Sequence, residues 1–282
     1  DVREGYTLER GVYTDREIPA LILWKNEFAD TKKPVVFLLH GGGMPDVGIG
    51  SDHVAKELWF LPEFYGVPYL LADGELAVVL IDQWWAGERY KPEYREIVGR
   101  NYLGSVIRGY VNTTQDVTLM ADALANHDGL DTDHIGVTGR SGGGIVALMA
   151  AAHDNRVKAL TSWVGQANLL DVAKTKMPLQ MMEQMMAADT ELQGLLEAYD
   201  PVYRPHTVPP TAVLLINNSN DPAIPFEVVQ DFHARLAPHY MTLPERLVFR
   251  VMDPAEPTHD MTREDYAAGC DWLIEHLHDS AT

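Results

Sequence analysis

Short apolar runs recur along the chain, each closed by turn-forming residues. Residues 35–39 (Val-Val-Phe-Leu-Leu) end at His40 and three glycines, and similar runs occupy 76–81, 135–137, 212–216 and Leu247–Met252, with a weaker one at 159–163. Runs of this length without polar alternation are expected of strands buried on both faces. The first 25 residues instead alternate, at 6–9, 12–14 and 18–24, which predicts a β-hairpin or short meander at a sheet edge. Between the runs lie helical patterns. Residues 113–126 carry Val117, Met120 and Leu124 at helical spacing, with Thr113 or Thr114 as N-cap and Asp116 in the first turn. Residues 142–153 are small and apolar, and 227–236 and 263–277 are amphipathic. Strands alternating with helices predict an α/β fold, with a mostly parallel central sheet covered by helices on both faces.

Two stretches break that rhythm. Residues 84–112 mix aromatics and charges with weak periodicity and read as a long loop. Residues 169–204 are too long for one crossover helix and are rich in Met, Leu and Ala, which predicts two or more helices forming a small cap or lid inserted in the sheet topology. With no internal repeat, low-complexity tract or linker, residues 1–282 read as a single domain carrying that insertion.

The most informative local pattern is Gly139-Arg140-Ser141-Gly142-Gly143, which follows a strand directly and opens a small-residue helix. A serine in a strand-to-helix turn is held in a strained conformation that lifts its hydroxyl clear of the sheet. Glycines on either side let strand and helix approach closely. His40-Gly41-Gly42-Gly43 follows an earlier strand, and amides of Gly41 and Gly42, with that of Gly142, could serve as an oxyanion hole. A serine hydroxyl needs a base, and the base an orienting acid. Asp221 ends the loop after the run at 212–216, and its alternative reading is an Asx turn or helix cap. His259 is the only histidine between Met252 and the last helix. His153 reads as a cation at a helix C-terminus, His276 and His278 as residues of an exposed terminal helix, and His40 as a structural donor under the glycine loop. The order Ser141, Asp221, His259 suits a nucleophile, acid and base on such a sheet.

Together these residues resemble an α/β-hydrolase, in the branch that holds dienelactone hydrolases, acetyl xylan esterases and the catalytic domain of prolyl oligopeptidases. The likeness covers residues 30–280 and is carried by His40-Gly41-Gly42-Gly43, Asp82 with Gly87-Glu88-Arg89, residues 131–143, and Asn220-Asp221-Pro222 through Pro225. It implies a serine hydrolase with Ser141, Asp221 and His259 as its triad. Asn217-Asn218 stands where relatives often have glycine, and Trp84-Trp85 where they carry smaller residues.

The expected activity is cleavage of a carboxylic ester of a small or medium-sized substrate through an acyl-enzyme. The alternatives are a prolyl-oligopeptidase-like peptidase, lactone or C–C bond cleavage, acyl transfer, and a non-catalytic receptor on the same scaffold. The peptidases of the branch usually add a large N-terminal propeller, whereas about 30 residues precede the fold here, so the esterase reading leads. Met44, Trp85, Trp163, Met181 and Met185 are the candidate substrate-binding residues. Met181, Met182, Met185 and Met186 fall on one helical face, either packed on the core or forming an adaptable roof over an apolar pocket. Arg89 or Arg108 could clamp a substrate carboxylate, or form structural ion pairs with Glu88 or Asp82.

Composition narrows the partners. A net charge of −19 argues against a nucleic-acid binder, and the lack of any long apolar run argues against a membrane span. A single cysteine, Cys270, precludes an internal disulfide or a thiolate metal cluster and favours a cytoplasmic location, with export left open because a leader before Asp1 would be invisible. No histidine–carboxylate spacing points to a metal, and the glycine motifs do not fit a dinucleotide fingerprint, so no cofactor is expected. Oligomeric state has no signature.

Overall fold

A computed structural model of the chain describes residues 2–42, 56–84, 86–94, 96–97 and 101–279. Strands β1 (Tyr6–Tyr13), β2 (Ile18–Lys25), β3 (Lys33–Leu39), β4 (Ala77–Ile81), β5 (Leu130–Arg140), β6 (Val157–Trp163), β7 (Ala212–Asn218) and β8 (Leu247–Met252) form an eight-stranded sheet ordered β1-β2-β4-β3-β5-β6-β7-β8. The expected hairpin is present, pairing Tyr6 with Lys25 through to Tyr13 with Ile18. β2 is antiparallel to β4, and all later pairings are parallel.

The continuous apolar runs of the inner strands are explained by helices on both faces; β8 corrects the expectation, being an edge strand with Val248 and Val251 exposed. On one face, Val35, Phe37 and Leu39 of β3 pack with Val117 and Met120 of α2 (Tyr102–Leu124), Val146 of α3 (Gly142–His153) and Phe232 of α7 (Phe226–Leu236). On the other, Val36 and Leu38 pack with Val67 and Leu71 of α1 (Val67–Asp73) and Leu273 and Leu277 of α8 (Arg263–Asp279). Each residue of β3 is buried, so neither face needs polar positions.

α2 corrects the expected helix start. It begins eleven residues before Thr113, capped by Asn101, whose side chain accepts from the Gly104 amide at 3.0 Å. Thr113 and Thr114 are buried inside the helix, and their hydroxyls donate to the carbonyls of Gly109 and Tyr110 at 2.8 and 2.9 Å. Asp116 is a buried mid-helix anion held by Arg16 (3.0 Å) and Arg89 (2.5 Å), not a first-turn dipole partner. The expected loop at 84–112 is therefore helix from Tyr102 onward.

Between β6 and β7 lie α4 (Leu169–Lys176), α5 (Leu179–Ala188) and α6 (Glu191–Tyr199). Leu169, Ala173, Met182, Leu192 and Leu196 from these helices pack on Leu103, Ile107 and Val111 of α2 and on Ile145 and Met149 of α3. The buried Asp200 carboxylate closes the segment at its base. It accepts from the amides of Asn168 (3.0 Å) and Leu169 (2.8 Å) at its start and of Val202 (3.1 Å) at its end. Burial nonetheless pushes the Asp200 pKa up, outweighing the three amide bonds that lower it. No helix among the described residues is long and apolar enough to cross a membrane.

Strand order reverses between β3 and β5, where β4 lies to one side and β6 to the other. The crevice beyond the carboxyl ends at such a switch point is where open α/β sheets hold ligands. The glycine run after β3 and Ser141 after β5 both fall there.

Cys270 offers a check on the packing of α8. It is 1% exposed, and burial pushes its thiol pKa up. A thiol-disulfide indicator dye should therefore find no reactive thiol in the native chain and one per chain in urea; rapid native labelling would contradict the packing of α8.

Candidate active site

The turn at Ser141 has φ 54° and ψ −116°, a conformation unfavourable for any residue with a side chain. Its neighbours explain why it persists. A Cβ on Gly139 would lie 2.7 Å from the Gly143 carbonyl carbon and overlap the Leu39 carbonyl oxygen. One on Gly143 would lie 2.8 Å from the His40 oxygen, and one on Gly144 would lie 3.1 Å from Gly165 Cα. Glycine is thus required where the ends of β3 and β5, the start of α3 and the loop after β6 converge. The Ser141 amide donates to the Trp163 carbonyl at 2.8 Å, tying the turn to β6. The α3 bond ladder begins with Ile145 donating to Ser141, so the Gly142 amide lies ahead of it.

The glycine run beside Ser141 is held from below by His40. This buried imidazole contacts the Gly41 carbonyl through Nδ1 at 2.9 Å, while Nε2 accepts the Gln83 amide at 3.0 Å. Burial lowers its pKa, in keeping with a neutral ring. A Cβ on Gly41 would lie 3.6 Å from Ser141 Cβ, and one on Gly142 would lie 2.7 Å from the Gly42 carbonyl oxygen. Gly42 has φ 78°. Gly41, Gly42 and Gly142 are therefore gathered around the serine.

Asp221 and His259 meet beyond β7 and β8. Asp221 Oδ2 is 2.7 Å from His259 Nδ1, while Oδ1 accepts from the amides of Ala223 (2.7 Å) and Ile224 (3.0 Å). The two readings of Asp221, turn former and imidazole partner, both hold: one oxygen serves each. Its side chain is 1% exposed and that of His259 21%, so the pair is shielded while the ring keeps access to solvent. Among the described residues the Ser141 hydroxyl makes no hydrogen bond, so the third contact of a triad is open in this arrangement. Such bonds are often long without substrate.

Residues 98–280 match the prolyl oligopeptidase family. The chain belongs to that family. Membership makes it a serine hydrolase with the α/β-hydrolase fold, and the eight-stranded sheet agrees. It is 23% identical over 266 residues to the "Putative esterase YitV" of Bacillus subtilis (strain 168), covering 92% of this chain and 96% of that one. Among solved structures it is similar to TT1662 from Thermus thermophilus, with TM-score 0.69 and 19% identity, covering 96% of this chain and 98% of that one. The acylaminoacyl peptidase of Pyrococcus horikoshii has TM-score 0.64 and 15% identity, covering 97% of this chain and 41% of the peptidase. Within the prolyl oligopeptidase family, choice between ester and peptide does not follow from membership.

The candidate substrate-binding residues fare unevenly. Met44 and Trp85 lie outside the described residues. Trp163 is a correction: it is fully buried, its ring 5.7 Å from Trp59 and 5.2 Å from Tyr266, on the face covered by α8. A position at a strand end does not fix which face carries the side chain, and this one points into the core. Met181 is also corrected, being 51% exposed, whereas Met182, Met185 and Met186 turn inward toward α2 and α3. Arg89 and Arg108 are engaged by Asp116 (2.5 Å) and Asp189 (2.5 Å), partners other than those expected.

His153 is not a dipole-stabilising cation: it stacks on Tyr199 at 4.2 Å, and burial lowers its pKa. His276 is buried rather than exposed, and His278 contacts the Gly74 carbonyl at 2.9 Å. Sequence reasoning missed Tyr110 of α2, whose phenol oxygen would lie 3.1 Å from a Cβ on Gly142. Its signal was faint, because it sits in the stretch read as loop. Among the described residues, no group of three His, Cys, Asp or Glu side chains could hold a metal ion.

The packing at the turn predicts that Gly139→Ala destabilises the fold by more than an ordinary surface substitution, since backbone rather than a side-chain tip stands in the way. Urea denaturation should show a loss of at least about 2 kcal/mol; a wild-type midpoint would contradict the close approach described.

Proposed function

We propose that this serine hydrolase cleaves carboxylic esters of small or medium-sized substrates through an acyl-enzyme formed on Ser141. The observation that carries the reading is the Asp221–His259 hydrogen bond at the same sheet edge as the strained Ser141 turn. His259 Nε2 takes the Ser141 proton as the hydroxyl oxygen attacks the ester carbonyl. Amides of Gly142 and of Gly41 or Gly42 receive the charge on the tetrahedral oxygen. The imidazolium then gives its proton to the departing alcohol, and water repeats the sequence to release the acid. Asp221 stays ionised and fixes the ring with its proton on Nδ1. Burial of the carboxylate among two amides and one imidazole favours this division of roles, because its charge is satisfied without a competing cation.

Ester rather than peptide cleavage is supported by the esterase name of the relative matched over nearly its whole length. The helices at 169–204 are proposed as a lid. Met182, Met185 and Met186, packed toward Ile145 one turn after the nucleophile, would give an acyl pocket a soft apolar roof.

Hydrolysis of p-nitrophenyl acetate, butyrate and octanoate, compared with matched p-nitroanilides, tests the proposal. Wild type should prefer the esters, and Ser141→Ala and Asp221→Asn should lower kcat by about 10⁴-fold or more while leaving thermal stability near wild type. Faster cleavage of the anilides would assign peptidase chemistry, and undiminished turnover by Ser141→Ala would remove the serine from its role.

A further inference from the structure

The loop that carries His259 has no strand or helix of its own between Met252 and Arg263. Three successive carbonyls in it nevertheless accept hydrogen bonds from side chains of the sheet. Asn218, the last residue of β7 and 2% exposed, donates through Nδ2 to the carbonyls of Thr258 (2.9 Å) and Asp260 (3.0 Å). Arg140, the last residue of β5, donates through Nη2 to the His259 carbonyl (2.8 Å) and the Asp260 carboxylate (3.1 Å). The same guanidinium neighbours the Tyr266 phenol on α8 and would lie 3.7 Å, through Nη1, from a Cβ on Gly41. Arg140 therefore bonds the base loop and lies beside the glycine run and the terminal helix, and it immediately precedes Ser141 in the chain.

We infer that Arg140 and Asn218 are positioning residues that hold the His259 main chain so that the imidazole can reach the Ser141 hydroxyl; this rests on the triad reading proposed above. The Asp221 bond fixes Nδ1 but leaves the ring free to swing about that contact if the backbone shifts. Anchoring the carbonyls of residues 258–260 fixes the other end of the side chain, and Nε2 then has one direction. Because Arg140 adjoins the nucleophile, base and nucleophile share one frame: a displacement of β5 carries both. Nη2 of the guanidinium bonds both the His259 carbonyl and the Asp260 carboxylate while Nη1 faces Gly41, a span between base loop and glycine run that a single ammonium does not cover. The neutral Asn218 amide adds its two bonds without adding charge beside the imidazole.

The test compares wild type, Arg140→Lys, Asn218→Ala and the double variant in p-nitrophenyl acetate hydrolysis and in the rate of fluorophosphonate labelling of Ser141, with thermal unfolding alongside. A misplaced base should lower kcat and the labelling rate by about 10²-fold in each single variant, with KM changed less than about threefold. The double variant should lose less than the product of the two single losses, because both side chains hold the same loop. Arg140→Ala should regain part of its labelling rate when guanidinium ion is added at millimolar concentration, a rescue that a purely structural defect would not show. Wild-type labelling rates in folded Arg140→Lys and Asn218→Ala, or a loss confined to KM, would overturn the inference alone. A wild type that takes no label would overturn the nucleophile assignment and this inference with it.

Discussion

Backbone meets backbone at the top of this sheet with no side chains between. The Leu39 and His40 carbonyls press on Gly139 and Gly143, and Gly144 presses on Gly165, at separations that would exclude even a methyl group on Gly139, Gly143 or Gly165. This contact fixes the direction in which α3 leaves β5, and with it the positive φ of Ser141. An isolated turn would relax from that geometry; here relaxation would drive strand into loop. The strain is local, and tight packing of the surrounding sheet and helix sustains it.

The rest of the candidate site is placed relative to that turn by parallel strand order. β5, β6, β7 and β8 are consecutive neighbours running the same way, so the segments that follow them emerge at one edge in sequence order. Asp221 and His259 need no long excursion to meet. Two amides and an imidazole take up both oxygens of the buried carboxylate. The glycine run after β3 arrives from the opposite side of the switch point, and the site straddles the line where the strand order reverses.

How much of this was legible in sequence depended on whether a residue acts through its backbone setting or through distant packing. Strands buried on both faces leave no alternation to misread, so β3, β4 and β7 stand out as plain apolar runs. Ser141 and the glycines announce themselves because only a few residue types tolerate those backbone angles. The start of α2 was hidden because Leu103, Ile107 and Val111 recur every four residues amid charged and aromatic neighbours whose partners lie far along the chain, such as Asp189 for Arg108. Trp163 was misread for a related reason. A period of two fixes which strand residues share a face, but does not say which helix covers it. Met181 and Met182 differ by one position, and a helical face drawn from sequence is too broad to separate them.

The Asp200 carboxylate gives the inserted helices a different significance. Its bonds to Asn168 and Leu169 on entry and to Val202 on exit mean that the helical segment begins and ends at nearly one point, and the residues after Val202 then carry the chain to the start of β7. What lies between is a closed loop by construction, and its length is decoupled from the strand spacing of β6 and β7. The segment is in effect a cassette: helices could be lost, added or exchanged there over evolutionary time, or by grafting, without altering the register of the sheet. Change could then accumulate in one interchangeable part while the sheet beside it stays constant.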